Sequence, residues 1–373
     1  MVQTLLGRHL FNFIFVLTLF SPAAFSENSG NPSIIPQYID IHVHAAGLGN
    51  DHNGIFINPK LKRSFKFPFY LKAFGVTQKE LESQGDGLIL SRIALNIKQS
   101  VHIKKAVILA LDGVVTKDGV LDYNQTQIYV PNKLLVDELP KYPELLFGAS
   151  INPYRKDALE RLDQVVKDGA VLLKWIPNIM HIDPADTKIE PFYRRLAHYH
   201  LPLLTHAGQE RAFGESNDLL GDPRRLELPL SLGVTVIAAH IATTGKNENE
   251  DNFKRLLSMF PKYPNLYADI SSLTQINKLR SLTKALEVAD LHERLVYGSD
   301  WPLQSFPLVS PVYHLNRIGF GDVTSILQIK NQWDRDVRLK QALGVPASVF
   351  QRSEYLLLSH EEKREILPEL SHP

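Results

Sequence analysis

Six residues of the kinds that hold cations or move protons are spread along this chain: His42, His44, Lys174, His206, His240 and Asp300. The first two close the stretch Tyr38-Ile39-Asp40-Ile41-His42-Val43-His44, in which Ile39, Ile41 and Val43 alternate with Asp40, His42 and His44. Alternation of period two predicts a strand. Residues two apart on a strand share a face, so His42 and His44 present two imidazoles together, a spacing that suits one cation. The same reading sets Asp40 on that face, further back along the strand, as a buried packing carboxylate or one that orients a histidine. A second His-x-His pair, His198-Tyr199-His200, has the same spacing. Spacing alone therefore does not choose between the pairs; the surrounding elements must.

Those elements follow a regular beat. Apolar runs at Ala106–Leu111, Leu145–Ile151, Ala170–Trp175, Pro202–Thr205, Val234–Ala239, Leu266–Ile270 and Leu295–Tyr297 read as strands. Four of them lead into Lys174, His206, His240 and Asp300. Helical spacing lies between strands, as in Asp157–Lys167, stopped by Gly169, and Pro191–His200. With the first strand, this predicts eight strands in strand-then-helix order, and hence a closed parallel (β/α)8 TIM barrel. Chemistry in such a barrel sits at the C-terminal ends of the strands. His42 and His44 end a strand, whereas His198 and His200 end a helix and are expected on the opposite, stabilising face. A long insertion, residues 45–100, follows the first strand. It carries a basic-aromatic loop, a helix start at Thr77 with Glu80 three residues on, and a helix over Gly87–Gln99. Such a loop suits contact with a membrane or an anionic ligand, but the leading expectation sets its aromatics over the barrel mouth and its lysines in water. From about Gln304 the chain reads as the last barrel helix and a helical C-terminal tail ending near Leu367.

Composition narrows the function. Lys and Arg number 41 against 40 Asp and Glu, and no basic block points to nucleic acid. With no cysteine, disulfides, zinc ribbons and thiol nucleophiles are excluded. The N-terminus has Arg8, the apolar run Leu10–Phe20, and small residues at Ala24 and Ser26. This is the pattern of a secretory signal peptide, residues 1–26, followed by a polar linker, 27–37, and a barrel domain, 38–373. The protein is expected to be periplasmic or secreted, with no stable membrane insertion after cleavage; the apolar run is short for a span of ~20 residues. A homo-oligomer is left open.

Four imidazoles and a carboxylate suit Zn, Mn or Fe. An ammonium is a poor ligand, so Lys174 fits if it is carboxylated, if it stays a cation facing substrate, or if it is structural. The matching pieces Ile39-Asp40-Ile41-His42-Val43-His44, Leu173-Lys174-Trp175, Pro202-Leu203-Leu204-Thr205-His206-Ala207-Gly208, Ala238-Ala239-His240 and Tyr297-Gly298-Ser299-Asp300-Trp301-Pro302 occur in one order. In that order, over about Tyr38 to Leu358, the chain resembles the amidohydrolase superfamily, in its amidohydrolase-related (amidohydrolase 2) branch of metal-dependent hydrolases. The resemblance implies that His42, His44 and Asp300 hold one divalent metal, zinc above all. It further implies that His206 and His240 hold a second, bridged by a carboxylated Lys174. In members with one ion, His206 instead completes the first site and His240 assists catalysis. Asp300 would then pass a proton from water to the leaving group of a small ester, lactone or amide. The alternative within the same branch is non-oxidative decarboxylation of a small carboxylic acid. Trp175, His181, Gln209, Arg211 and Trp301 follow ligand strands closely and are the candidate substrate contacts.

Overall fold

The computed structural model describes residues 36–50, 52–305 and 307–357. The expected signal peptide, most of the expected linker and the expected end of the tail near Leu367 lie outside the described residues. Among them are eight parallel strands paired in sequence order: β1 (Tyr38–His44), β2 (Ile103–Leu109), β3 (Leu145–Ala149), β4 (Leu172–Trp175), β5 (Leu203–His206), β6 (Val236–Ala239), β7 (Leu266–Asp269) and β8 (Leu295–Val296). The ring closes beyond β8, where Trp301 bridges in parallel to Val43. There Asp300 N donates to His42 O at 2.9 Å and His44 N donates to Trp301 O at 2.9 Å. This is the expected (β/α)8 barrel.

Two apolar layers hold it. Inside, Ile39, Ile41, Val107, Leu109, Leu172, Leu204, Ile237, Ala239 and Val296 form one cluster, to which Leu356 of the last described helix, Ala347–Leu357, contributes. Outside, the alternate strand residues Val43, Ile108, Leu173, Leu203, Val236 and Leu295 pack with the helices. The first barrel helix is Gly87–Gln99, which buries Ile89, Ile93 and Ile97. The segment that follows β1 thus ends in the helix expected over Gly87–Gln99. Within that segment, Thr77 and Glu80 form the reciprocal cap expected of them. The tail is helical, with Phe320–Gln328 and Gln332–Ala342 before the last described helix. Among the described residues no helix is long and apolar enough to cross a membrane.

β1 departs from strict alternation. Asp40 pairs with Ala106 but Val43 pairs with Ile108, three steps against two. This is a bulge, which inserts one residue and re-aims those after it. Ile39 and Ile41 point into the barrel; Asp40 points out. Its carboxylate accepts from Trp333 Nε1 at 2.8 Å, Ser299 N at 2.9 Å and His42 N at 3.0 Å. Asp40 therefore does not share a face with His42 and His44. It seals the seam between β1 and the chain beyond β8, and burial raises its pKa to about 6.

Candidate active site

The strands end in a polar cluster around Asp300. His44 Nε2 lies 3.1 Å from Asp300 Oδ1 and His42 Nε2 lies 3.4 Å from the same oxygen. His240 Nε2 is 3.8 Å from Asp300 Oδ2. Lys174 Nζ is 2.8 Å from His42 Nε2. The His206 and His240 rings are 5.4 Å apart. The structure thus brings together all six residues singled out from the sequence. His198 and His200 are exposed and precede β5, at the other end of the barrel.

Sequence reasoning missed the groups that orient these ligands. Asp269, at the end of β7, takes His42 Nδ1 at 2.7 Å. Its other oxygen accepts from His240 N at 2.8 Å, Ser271 N at 3.1 Å and the Ser271 hydroxyl. A carboxylate on Nδ1 fixes the ring and turns Nε2, which also meets Lys174 Nζ, toward the cluster. His42, His240 and Asp269 are close enough to be a ligand group themselves. The short contact between Asp269 and His42 Nδ1 instead makes Asp269 the orienting partner, leaving His42, His44 and Asp300 as the converging set. Ser271 Oγ meets His240 Nδ1 at 2.7 Å, and the Ser272 hydroxyl donates to Asp300. Glu210 Oε2 stands 3.5 Å from His206 Nδ1.

Burial and neighbouring charge set the protonation. Burial, assisted by Lys174, lowers the His42 pKa to about 4. His42 is therefore a neutral imidazole able to donate a lone pair. Burial also lowers His206 and, more strongly, His240, and takes Lys174 down to about 8. Burial alone would raise Asp300, but His240, His42 and His44 around it hold it well below the usual carboxylate range.

The backbone here is strained. His240, Ile241, Ala242, Ser272 and Asp300 all have positive φ without being glycine, conformations that persist where surrounding structure imposes them. At Gly298 an added Cβ would stand 2.9 Å from His42 Cβ, so only glycine lets the chain pass beside the ring.

The cluster forms the floor of a cavity of about 510 Å³, walled by Leu111, Ile128, Ile176 and Phe213 and roofed by Phe67, Tyr70, Leu71 and Phe74 of the insertion. Phe67, Tyr70 and the partly exposed Phe69 line the mouth as expected, whereas Phe65 is exposed away from it. Gln209 and Arg211 line the cavity; Lys278, which burial also draws to a lower pKa, had not been singled out. Three expected substrate contacts lie elsewhere. Trp175 is fully buried against Phe192 and Tyr193, with its indole on Ile151 O. Trp301 stacks on Trp333 at 5.5 Å and donates to Gln332. Both follow a lumen-facing residue by one, so alternation turns them outward. His181 caps a short helix in a left-handed conformation and faces solvent.

An eight-stranded barrel with imidazoles and a carboxylate converging at the C-terminal strand ends defines a TIM-barrel enzyme of the metal-dependent kind. The amidohydrolase family model matches residues 107–314, more than half of the chain. The chain belongs to the amidohydrolase family, a metal-dependent enzyme family acting on small molecules. Among solved structures, an uncharacterised TIM-barrel protein from Bordetella bronchiseptica aligns with TM-score 0.50 and 14% identity, covering 86% of this chain and 98% of that one. A proposed 2-pyrone-4,6-dicarboxylic acid hydrolase from Pseudomonas putida gives 0.49 and 15%, covering 86% and 97%. A manganese-bound 5-carboxyvanillate decarboxylase from Novosphingobium aromaticivorans gives 0.46 and 13%, covering 88% and 98%. At these identities the likeness is one of fold. The comparison with curated proteins gives no match.

Proposed function

We propose that the protein hydrolyses a small ester, lactone or amide, with Asp300 as proton carrier. The observation that carries this reading is the convergence of His42 Nε2 and His44 Nε2 on Asp300 Oδ1, with His240 on the other carboxylate oxygen. The residues fit a divalent cation. His42 is held neutral with Nε2 inward, and His206 Nε2 is buried with no hydrogen-bond partner, a costly state for a polar atom with nothing to bind. His42, His44 and Asp300 would hold one ion, zinc by preference and manganese or iron by ligand type. His206 and His240 stand beside it to complete that site or begin a second. A bound ion supplies an acidified water and a polarised carbonyl.

Asp300 is the proton acceptor because its low pKa keeps it ionised and both its oxygens face the cluster. Ser272 holds one of those oxygens by donating to it. Returned to the leaving oxygen or nitrogen, that proton completes the hydrolysis. Lys174 is drawn toward the neutral amine by burial, the form that reacts with CO₂, so a carboxylated Lys174 is the reading if two ions are held. The apolar walls exclude bulk water and favour a compact substrate with an apolar body.

The test is metal analysis of purified protein, then a screen of lactones, esters, amides and aromatic carboxylates with product identification. A new acid group without gas release supports hydrolysis. Release of CO₂ would replace this reading with decarboxylation, and protein that binds no divalent ion would remove both.

A further inference from the structure

The insertion after β1 lays two short helices, Pro59–Lys62 and Phe67–Ala73, over the cavity mouth. One side of this strap is accounted for: Phe67, Leu71 and Phe74 are buried and roof the cavity. Tyr70 OH donates to Ala212 O at 2.7 Å, and Lys62 Nζ to Leu48 O at 2.8 Å, tying the strap at two points. The other side has an unusual makeup. Between Phe56 and Gln78 the chain has Lys60, Lys62, Arg63, Lys66 and Lys72 and no Asp or Glu, in a protein whose net charge is +1. Among these cations Phe65 is 80% exposed; Phe69, 59% exposed, stands at the rim of the mouth, where it and Lys66 also line the cavity. Among the described residues the ion pair on the strap is Lys60 with Glu215, at 3.6 Å and well exposed. Across the same mouth, Leu308 lines the cavity 46% exposed, and Ile276, 42% exposed, is hydrogen-bonded to its carbonyl through its own backbone N–H.

Exposed phenylalanines set among lysines and arginines that carry one exposed ion pair between them are a poor surface for water alone. They suit an interface that is anionic at its surface and apolar a few ångströms below. Aromatic rings enter the headgroup region while long basic side chains stay at its level. Polybasic segments gain further from anionic lipid. A protein partner would need acids complementary to five cations and a pocket for each ring; an anionic bilayer supplies both without shape matching.

We infer that the outer face of this strap seats the protein on an anionic phospholipid surface, with the cavity mouth turned toward the lipid. The inference is independent of which bond the enzyme cleaves. The test is sedimentation of the whole protein with vesicles of phosphatidylcholine alone, and of phosphatidylcholine mixed with phosphatidylglycerol. All variants carry the same N-terminus, so the apolar run Leu10–Phe20 contributes equally to each.

The protein should sediment with the anionic vesicles in preference to the neutral ones, and the preference should vanish near 1 M salt, where the screening length is about 3 Å. Each cation removed should weaken partitioning by about fivefold, so Lys60→Gln/Arg63→Gln/Lys66→Gln should lose about a hundredfold. Phe65→Ser/Phe69→Ser should also release the protein. Unchanged melting temperatures would show that both variants are folded, as expected for exposed positions. Equal binding to neutral vesicles, no binding, or binding indifferent to both variants would overturn the inference. So would light scattering that shows a dimer split by Phe65→Ser, since the face would then be covered by a second copy.

Discussion

Asp269→Asn tests how the site is tuned, through a residue whose role only the structure reveals. The side chain keeps its volume but must place one oxygen and one amide nitrogen where there were two oxygens. One position accepts from His240 N at 2.8 Å and Ser271 N at 3.1 Å; the other meets His42 Nδ1 at 2.7 Å. Turning the amide nitrogen toward the two backbone N–H groups would leave both unpaired in a buried site, at about 1–3 kcal/mol each. The oxygen therefore stays on the backbone and the amide donates to His42 Nδ1. His42 must then carry its proton on Nε2, the nitrogen that faces His44 and Asp300. The lone pair meant for the cation is lost while the fold is kept. Loss of an orienting partner costs roughly 10–100-fold in metal affinity, and inversion of the tautomer sets the upper end of that range. The assay is metal retained against a graded chelator, with circular dichroism to confirm the barrel. Wild-type affinity in Asp269→Asn, or a proton found on Nδ1 of His42 by NMR, would refute the reasoning.

Three further outcomes are expected. Asp300→Asn keeps a ligand oxygen but cannot carry a proton, so it should retain much of the metal and lose about 10²–10⁴ in turnover; near-normal turnover would remove Asp300 from the mechanism. Gly298→Ala puts a methyl 2.9 Å from His42 Cβ, so it should cost about 1–3 kcal/mol in a denaturant titration and weaken metal binding with it; an unchanged midpoint would show that the strand seam is looser than described. Export is proposed from Arg8, Leu10–Phe20 and the small residues Ala24 and Ser26, and N-terminal sequencing of protein from its own host should begin near Glu27; an intact Met1 terminus in the cytosol would contradict it.

The barrel was legible because a strong signal recurs after the alternating first strand: an apolar run closed by polar or turn residues, with helical spacing between runs. That rhythm also located Lys174, His206, His240 and Asp300, since a ligand at a strand end interrupts the run. The bulge in β1 was not legible. Alternation from Ile39 to His44 is unbroken, and the extra residue shows only in pairing, with Asp40 and Val43 set against Ala106 and Ile108. Asp40 was misplaced for that reason. Asp269 was missed because Ile270 prolongs the apolar run past it, although period two from Tyr267 points Asp269 inward. The same rule would have turned Trp175 outward, one residue beyond Lys174. Gln209 and Arg211 sit on loops and Lys278 in a single helical turn, Ile276–Lys278, where no sustained period fixes direction.

The central claim is that the metal-type site lies at the C-terminal strand ends and uses the first of the two His-x-His pairs. The most direct measurement is the divalent metal content of two double variants purified alongside the parent protein. His42→Ala/His44→Ala should lose metal and activity together. His198→Ala/His200→Ala, altered at exposed positions at the other end of the barrel, should keep its metal and lose at most roughly 0.5–3 kcal/mol of stability. Metal retained in the first and lost in the second would contradict the account.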